Sequence, residues 1–299
     1  MTKMIGTPNA LYAASWMMGA LASFCLMAIG ARELSGLVDT FQILFFRSVI
    51  GLAVITLVII FSGKRNLITT QRLGLHTFRN VFHLGGQYGW IVGIGILPLA
   101  EVFAIEFTVP VWTALIACVF LKESITLKKV LSITLGLIGV IVIVKPGIEI
   151  VDVASLTVLV AAICYAIAHT CTKALSVTED PLTILFQMCL IQLPIAFALA
   201  LGNWAIPNGI EWLWVSIIGV SSLTAHYCMA KAMQNAEVTL VVTLDFLRLP
   251  VIAIIGVVFY AEGFEMSLLI GGAIMLLGNL VNMYRPNNRI QLLNNNKAR

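Results

Sequence analysis

The sequence predicts an all-α polytopic membrane protein: ten transmembrane helices arranged as two inverted five-helix repeats. Three observations predict it. Of 299 residues, 60% are hydrophobic and 11% charged, with a mean hydropathy of +1.00, whereas a soluble chain is about 25% charged. Apolar runs recur along the whole length, each close to the roughly 20 residues that one helical crossing requires. Short words of sequence also recur between the two halves at a nearly constant offset.

The spans follow in order. Span 1, 8–30, carries Trp16 and has no convincing small-residue cleavage site, so no cleavable signal peptide is expected. Span 2, 40–62, carries Arg47. Span 3, 77–96, has Gly85, Gly89 and Gly93 at four-residue spacing, a smooth stripe that lets a neighbouring helix approach closely; Gln87 and Tyr88 project from adjacent faces near mid-depth. Span 4, 98–121, contains Glu106 and Pro110, and the turn Lys122-Glu123-Ser124 returns the chain into span 5, 125–145. Span 6, 153–173, carries Tyr165 and His169. Span 7 is 181–202, and span 8, 211–231, carries His226 and Tyr227. Span 9, 236–260, contains Asp245, Arg248 and Pro250, and span 10 is 266–284. Trp204, Trp212, Tyr260 and Tyr284 lie near span ends, as interfacial aromatic belts do.

Charge sets the expected orientation. With a cytoplasmic N-terminus, fourteen of the 18 Lys and Arg residues fall on inside segments. Arg32 and Lys145 fall outside, while Arg47 and Arg248 lie within spans. The positive-inside rule then places both termini in the cytoplasm. Basic residues confined to short loops argue against a nucleic-acid partner; the lipid bilayer is the expected one. All six cysteines lie in apolar runs and read as packing residues, with no spacing for a metal or redox motif.

The repeat supplies the domain plan. Ile43-Leu44-Phe45 recurs as Ile184-Leu185-Phe186 at an offset of 141, where Asp39 also maps to Asp180 and Arg32 to Lys173. Ala100-Glu101-Val102 recurs as Ala236-Glu237-Val238 at 136, and Glu123 and Gly139 recur as Glu262 and Gly278 at 139. The first repeat is expected over 1–150 and the second over 151–299, the latter ending in a short cytoplasmic tail. Five spans per half put the halves in opposite orientations, the plan of many secondary transporters, whose substrate sites lie near the midplane where the halves meet.

Ionisable groups and helix breakers at bilayer depth need protein or a water-filled cavity around them. Glu106 maps onto Asp245 at the offset of 139, and each is followed by a proline, Pro110 or Pro250. Pro110 deprives the Glu106 carbonyl of its usual donor, and Pro250 does the same for Phe246. Glu106 and Asp245 are therefore the expected pathway residues, giving an acidic centre suited to a cationic group unless arginines neutralise it. Gln87, Tyr88, His169, His226, Tyr227 and Trp16 are further pathway candidates, and His83 and Tyr165 are noted beside them. Arg47 lies at about the depth of Glu106, so a pair between spans 2 and 4 is expected; Arg248 shares a helix face with Asp245. These arginines are the expected structural or gating charge partners. Glu123 and Glu262, at span ends, are expected to serve turns and caps. Spans 5 and 10, nearly free of charge, are expected to pack closely through Ser132, Gly136, Gly139, Gly271, Gly272 and Gly278. No HExxH motif or serine or cysteine constellation stands at a spacing an enzyme would use.

At these residues the chain resembles the EamA-type, ten-helix branch of the drug/metabolite transporter superfamily. The likeness is carried by Arg47, by the Pro110 region followed by Glu123, and by Gly136 and Gly139 before Lys145-Pro146-Gly147. In the second half it is carried by Asp245-Phe246-Leu247-Arg248-Leu249-Pro250, Glu262 and Gly278, and it extends from Leu11 to Tyr284. The resemblance implies a secondary transporter that moves a small polar metabolite, such as an amino acid, across the bacterial inner membrane by alternating access, with export favoured. An S-adenosylmethionine or multidrug carrier is the alternative within that class, and an intramembrane enzyme or a channel the alternative outside it. No enzymatic activity, cofactor or metal is implied, and proton coupling and a homodimer are compatible with the plan. Because the family often carries arginine in span 2, a structural role is favoured for Arg47.

Overall fold

The computed structural model describes residues 10–120, 127–144, 153–175, 178–235, 244–245, 247–263 and 265–283. Among these residues every long regular element is an α-helix: α1 (Ala10–Glu33), α2 (Thr40–Phe61), α3 (Leu73–Ile96), α4 (Leu99–Glu106), α5 (Val109–Phe120), α6 (Leu127–Val144), α7 (Val153–Leu175), α8 (Pro181–Ala200), α9 (Glu211–Asn235), α10 (Arg248–Tyr260) and α11 (Met266–Met283). Four of them, α1, α2, α7 and α8, are long and apolar enough by themselves to cross a bilayer. Glu123, Lys122, Lys145, Pro146, Gly147, Glu237 and Tyr284 lie outside the described residues.

Two helix starts repeat the same local chemistry. Asp39 Oδ1 accepts from the Phe41 amide at 2.9 Å and caps α2, and Asp180 Oδ1 accepts from the Leu182 amide at 2.9 Å and caps α8. Each carboxylate satisfies an amide that has no partner within its helix.

Expected span 4 is broken. α4 ends at Glu106 and α5 begins at Val109, with Phe107 and Thr108 as the joint. Pro110, second in α5, cannot donate to the ladder and so marks the new start. α10 begins at Arg248, three residues after Asp245, and Pro250 falls in its first turn. Thus α5 and α10 both start three residues beyond a carboxylate and just before a proline.

α3 begins four residues earlier than the expected 77, and its polar first turns find partners on α7 and in the connection from α7 to α8. His76 Nε2 lies 2.7 Å from Glu179 Oε2, and Arg79 Nε donates to Thr172 Oγ1 at 3.1 Å. Read without its partner, His76 falls outside the expected span.

The most extensive pairings all join residues up to Val144 with residues from Val153: α1 with α9, α3 with α7, α2 with α8, and α6 with α11. α4 likewise packs on α10. Glycines permit two of these approaches. A Cβ on Gly89 of α3 would stand 3.0 Å from the Thr157 carbonyl of α7, and one on Gly139 of α6 would stand 2.8 Å from the Gly271 carbonyl of α11. The expected close contact of spans 5 and 10 is therefore present at Gly139. The side chain of Ser132 lies outside the described residues.

Polar contacts tie both ends of the bundle. At one end Arg32 Nη2 pairs with Glu262 Oε1 at 2.8 Å and donates to the Leu97 carbonyl, while Glu262 Oε2 accepts the Leu99 amide at 2.8 Å. Glu262 thus caps α4, whose own N-cap, Pro98, offers no side-chain acceptor. At the other end Glu179 accepts from Thr70 and His76, and Arg72 donates to the Ala174 carbonyl at 2.7 Å.

Candidate functional site

A cavity of about 220 Å³ lies where α1, α2, α3, α4, α5, α7, α9 and α10 converge. Its polar lining comprises Arg47, His83, Gln87, Trp90, Glu106, Tyr165, His169, His226, Asp245 and Arg248, and its apolar lining includes Phe24, Phe107, Pro110 and Met229. The break between α4 and α5 is what places Glu106, Phe107 and Pro110 on this surface.

One group of residues surrounds Arg248. Its Nη2 donates to Asp245 Oδ2 at 2.9 Å and lies 3.6 Å from Glu106 Oε1. The three-residue spacing from Asp245 to Arg248 makes the first contact local, whereas the second joins the two halves. Glu106 Oε2 also accepts from Trp90 Nε1 at 2.9 Å. Arg248 Nε and Nη1 have no hydrogen-bond acceptor. The rings of Phe24, Phe107 and Phe103 surround this guanidinium, with centroids 4.4, 5.1 and 5.5 Å away. Aromatic faces stabilise a desolvated cation where no lone pair reaches it. With both carboxylates ionised, this group carries one negative charge in excess of its guanidinium.

The second group surrounds Arg47. Nη1 donates to Ser222 Oγ at 2.9 Å and Nη2 to Gln192 Oε1 at 2.8 Å. A guanidinium can only donate, so the Gln192 amide must present its oxygen to Arg47 and its NH₂ elsewhere. That NH₂ donates to the Asn80 carbonyl at 3.3 Å and to His83 Nδ1 at 3.0 Å. His83 is thereby held as the Nε2–H tautomer. His226 is the opposite case: its Nδ1 donates to the Ser222 carbonyl at 2.8 Å, which in the neutral ring leaves Nε2 as an acceptor. The rings of His83 and His226 stand 6.0 Å apart.

The structure brings Glu106, Asp245, Gln87, His169, His226, Arg47 and Arg248 together in one cavity, with His83 and Tyr165 beside them, and leaves Tyr88, Tyr227 and Trp16 outside it. Tyr88 stacks on Phe41 at 4.4 Å; neighbouring residues on a helix point about 100° apart, so Gln87 faces inward and Tyr88 does not. Trp16 and Tyr227 pack edge to face on each other, 5.9 Å apart, away from the lining. The expected pair between Arg47 and Glu106 is also corrected. Arg47 is taken by Ser222 and Gln192, and Glu106 by Trp90 and Arg248. The cavity is accordingly polarised rather than simply acidic. Trp90 was absent from the sequence candidates, although His83, Gln87 and Trp90 form an i, i+4, i+7 stripe that marks one helix face.

Residues 11–145 and 153–284 each match the profile of the EamA-like transporter family. The chain is similar to an S-adenosylmethionine uptake transporter of Rickettsia felis, 24% identical over 269 residues that cover 90% of this chain and 91% of the relative. It is also similar to a riboflavin transporter of Brucella anthropi, 29% identical over 244 residues, covering 80% and 86% of the two chains. A solved crystal structure 18% identical in sequence superposes with a TM-score of 0.64 over 90% of this chain and 95% of that one, a likeness of fold.

Proposed function

The chain belongs to the EamA-like transporter family, and from that premise we propose a secondary carrier that binds a small polar metabolite in the central cavity and passes it across the inner membrane by alternating access. The observation that carries this reading is the meeting of Glu106 from α4 with Asp245 and Arg248 from the second half, each carboxylate three residues before a helix start. Freed backbone at membrane depth is tolerated where it lines a cavity, and transporters use such broken helices at their substrate sites.

Two inverted repeats, 1–150 and 151–299, are supported by the pairing pattern. Exchanging the halves converts the α1–α9 contact into the α7–α3 contact, and maps α2–α8 and α6–α11 onto themselves. His169 is the exposed member of the cavity lining, and it lies on α7 toward the Arg72–Glu179 end. With both termini cytoplasmic, this describes an inward-facing carrier, closed at the outside by Arg32 and Glu262. Glu106 and Asp245, the carboxylates of the lining, are the groups through which a proton would couple.

The test is uptake and efflux by proteoliposomes with labelled amino acids, S-adenosylmethionine and riboflavin, with and without an imposed pH gradient. Saturable flux of at least one compound, lost in Glu106→Gln while the protein stays folded, is expected. Full flux by that variant across the panel would remove Glu106 from the pathway. A second reading, an S-adenosylmethionine carrier, is favoured by the named relative and by a carboxylate pair suited to a sulfonium centre; selective flux of that compound would establish it.

A further inference from the structure

Arg47 and Arg79 are 5% and 3% exposed, and neither has a carboxylate partner among the described residues. Arg47 meets Ser222 and Gln192; Arg79 meets Thr172 and Asn80. Two other arginines, half-buried Arg32 and buried Arg248, are treated differently. Arg32 pairs with Glu262, and Arg248 with Asp245 and Glu106. Buried charges are ordinarily paired, because neutral partners satisfy hydrogen bonds without neutralising the field. The two arginines also belong to one network, through Gln192 and Asn80. Two positive charges are therefore held in the bundle with no protein anion described beside them.

Arg47 lines the cavity, and its Nε has no acceptor. His83 also lines the cavity, and Gln192 fixes it with Nε2–H as a donor. This end thus offers donors and positive charge. The opposite group offers two carboxylates against one guanidinium. Along α3, His83 and Trp90 mark the two groups, seven residues or about 10 Å apart at the helical rise.

We propose that Arg47 and His83 form an oxyanion-binding pole of the cavity, which takes a carboxylate or phosphate of the substrate, while a cationic or hydrogen-bond-donating group of the same molecule lies at Glu106 and Asp245. The pole belongs to the cavity assigned above to substrate, and so rests on that reading. Arg47 becomes a substrate-contact residue, not only a structural one. The substrate is amphoteric, with its charges separated by about the distance between the two groups, roughly 10 Å or less.

The test uses purified full-length protein in nanodiscs, melted at constant ionic strength with chloride replaced stepwise by acetate or by inorganic phosphate. A saturating rise in Tm of about 2–4 °C is expected, as for occupancy well above the dissociation constant. A rise with acetate alone identifies a carboxylate pole, and one with phosphate alone a phosphate pole. Arg47→Gln should abolish the rise and Glu106→Gln should keep it. Should Arg47→Gln fail to fold, Arg47→Lys keeps the charge without the planar fork and should need about tenfold more anion. No rise in the wild type, an equal rise in Arg47→Gln, or a wild-type response in Arg47→Lys overturns the pole. Saturable transport without an anion response would remove the pole and leave the carrier standing. An Arg47-dependent response in a protein that moves none of the panel would do the reverse.

Discussion

Arg248 and Arg47 line one cavity from opposite halves of the chain, and their surroundings differ in kind. Arg248 sits among two carboxylates and three phenylalanine rings. Arg47 is held by a hydroxyl and an amide. In the first case the protein neutralises its own charge and uses the ion pair to join α4 to α10. In the second it orients the charge and leaves it uncompensated by its described residues. A buried arginine is therefore no single kind of object: its partners decide whether it holds the fold or awaits a ligand.

The comparison breaks most sharply at Arg248. Arg248→Ala would leave Glu106 and Asp245 facing each other at depth without a cation. Removing one member of a buried ionic group costs about 3–5 kcal/mol, so thermal unfolding in detergent should show a large loss of stability. Arg47→Ala strands only the Ser222 hydroxyl and the Gln192 oxygen, at about 1–3 kcal/mol, and also removes an uncompensated charge. Its net destabilisation should be the smaller, and a loss matching that of Arg248→Ala would erase the distinction. Because Arg47 and Glu106 have separate partners, combining Arg47→Ala with Glu106→Gln should add within about 0.5 kcal/mol. Rescue of one by the other would restore the pair that the sequence suggested.

The smallest effect lies at the Glu179 end and depends on pH. Burial alone would raise the Glu179 carboxyl, but hydrogen bonds from Thr70 and His76 and the charge of Arg72 outweigh it and hold the group below its ordinary value. A depressed carboxylate contributes stability above its unfolded pKa and loses it as pH falls through the folded value. Melting temperature should therefore decline in acid below the usual carboxylate range, and Glu179→Gln should flatten that part of the profile. An unchanged profile in the variant would assign the acid sensitivity elsewhere.

Much of this was legible in the sequence for physical reasons. Hydropathy marks spans because lipid demands apolar length, and Pro110 marks the break in span 4 because proline lacks a donor. Asp245 and Arg248 announce their pair by helical spacing. Arg47 could not be placed in the same way. Ser222 and Gln192 are ordinary polar residues on α9 and α8, and only packing between the halves brings them to it. His76 falls outside the expected start of α3 for the same reason, since its partner Glu179 lies about a hundred residues away. Choosing Gln87 over Tyr88 needed the direction of one helix face, which the stripe from His83 to Trp90 supplies.

The cross-half pairing of helices also governs the order of events during synthesis. α1 ends at Glu33, yet its chief partner α9 begins only at Glu211, and α2 likewise waits for α8. At about 5–20 residues per second, α1 stands in the bilayer for roughly ten to forty seconds before α9 arrives. Its small-residue face must meanwhile be covered by lipid or by the insertion machinery. The ribosome thus delivers α1 to α6 as clients before it delivers their partners. Two halves expressed as separate chains should be poor proteins alone and good ones together.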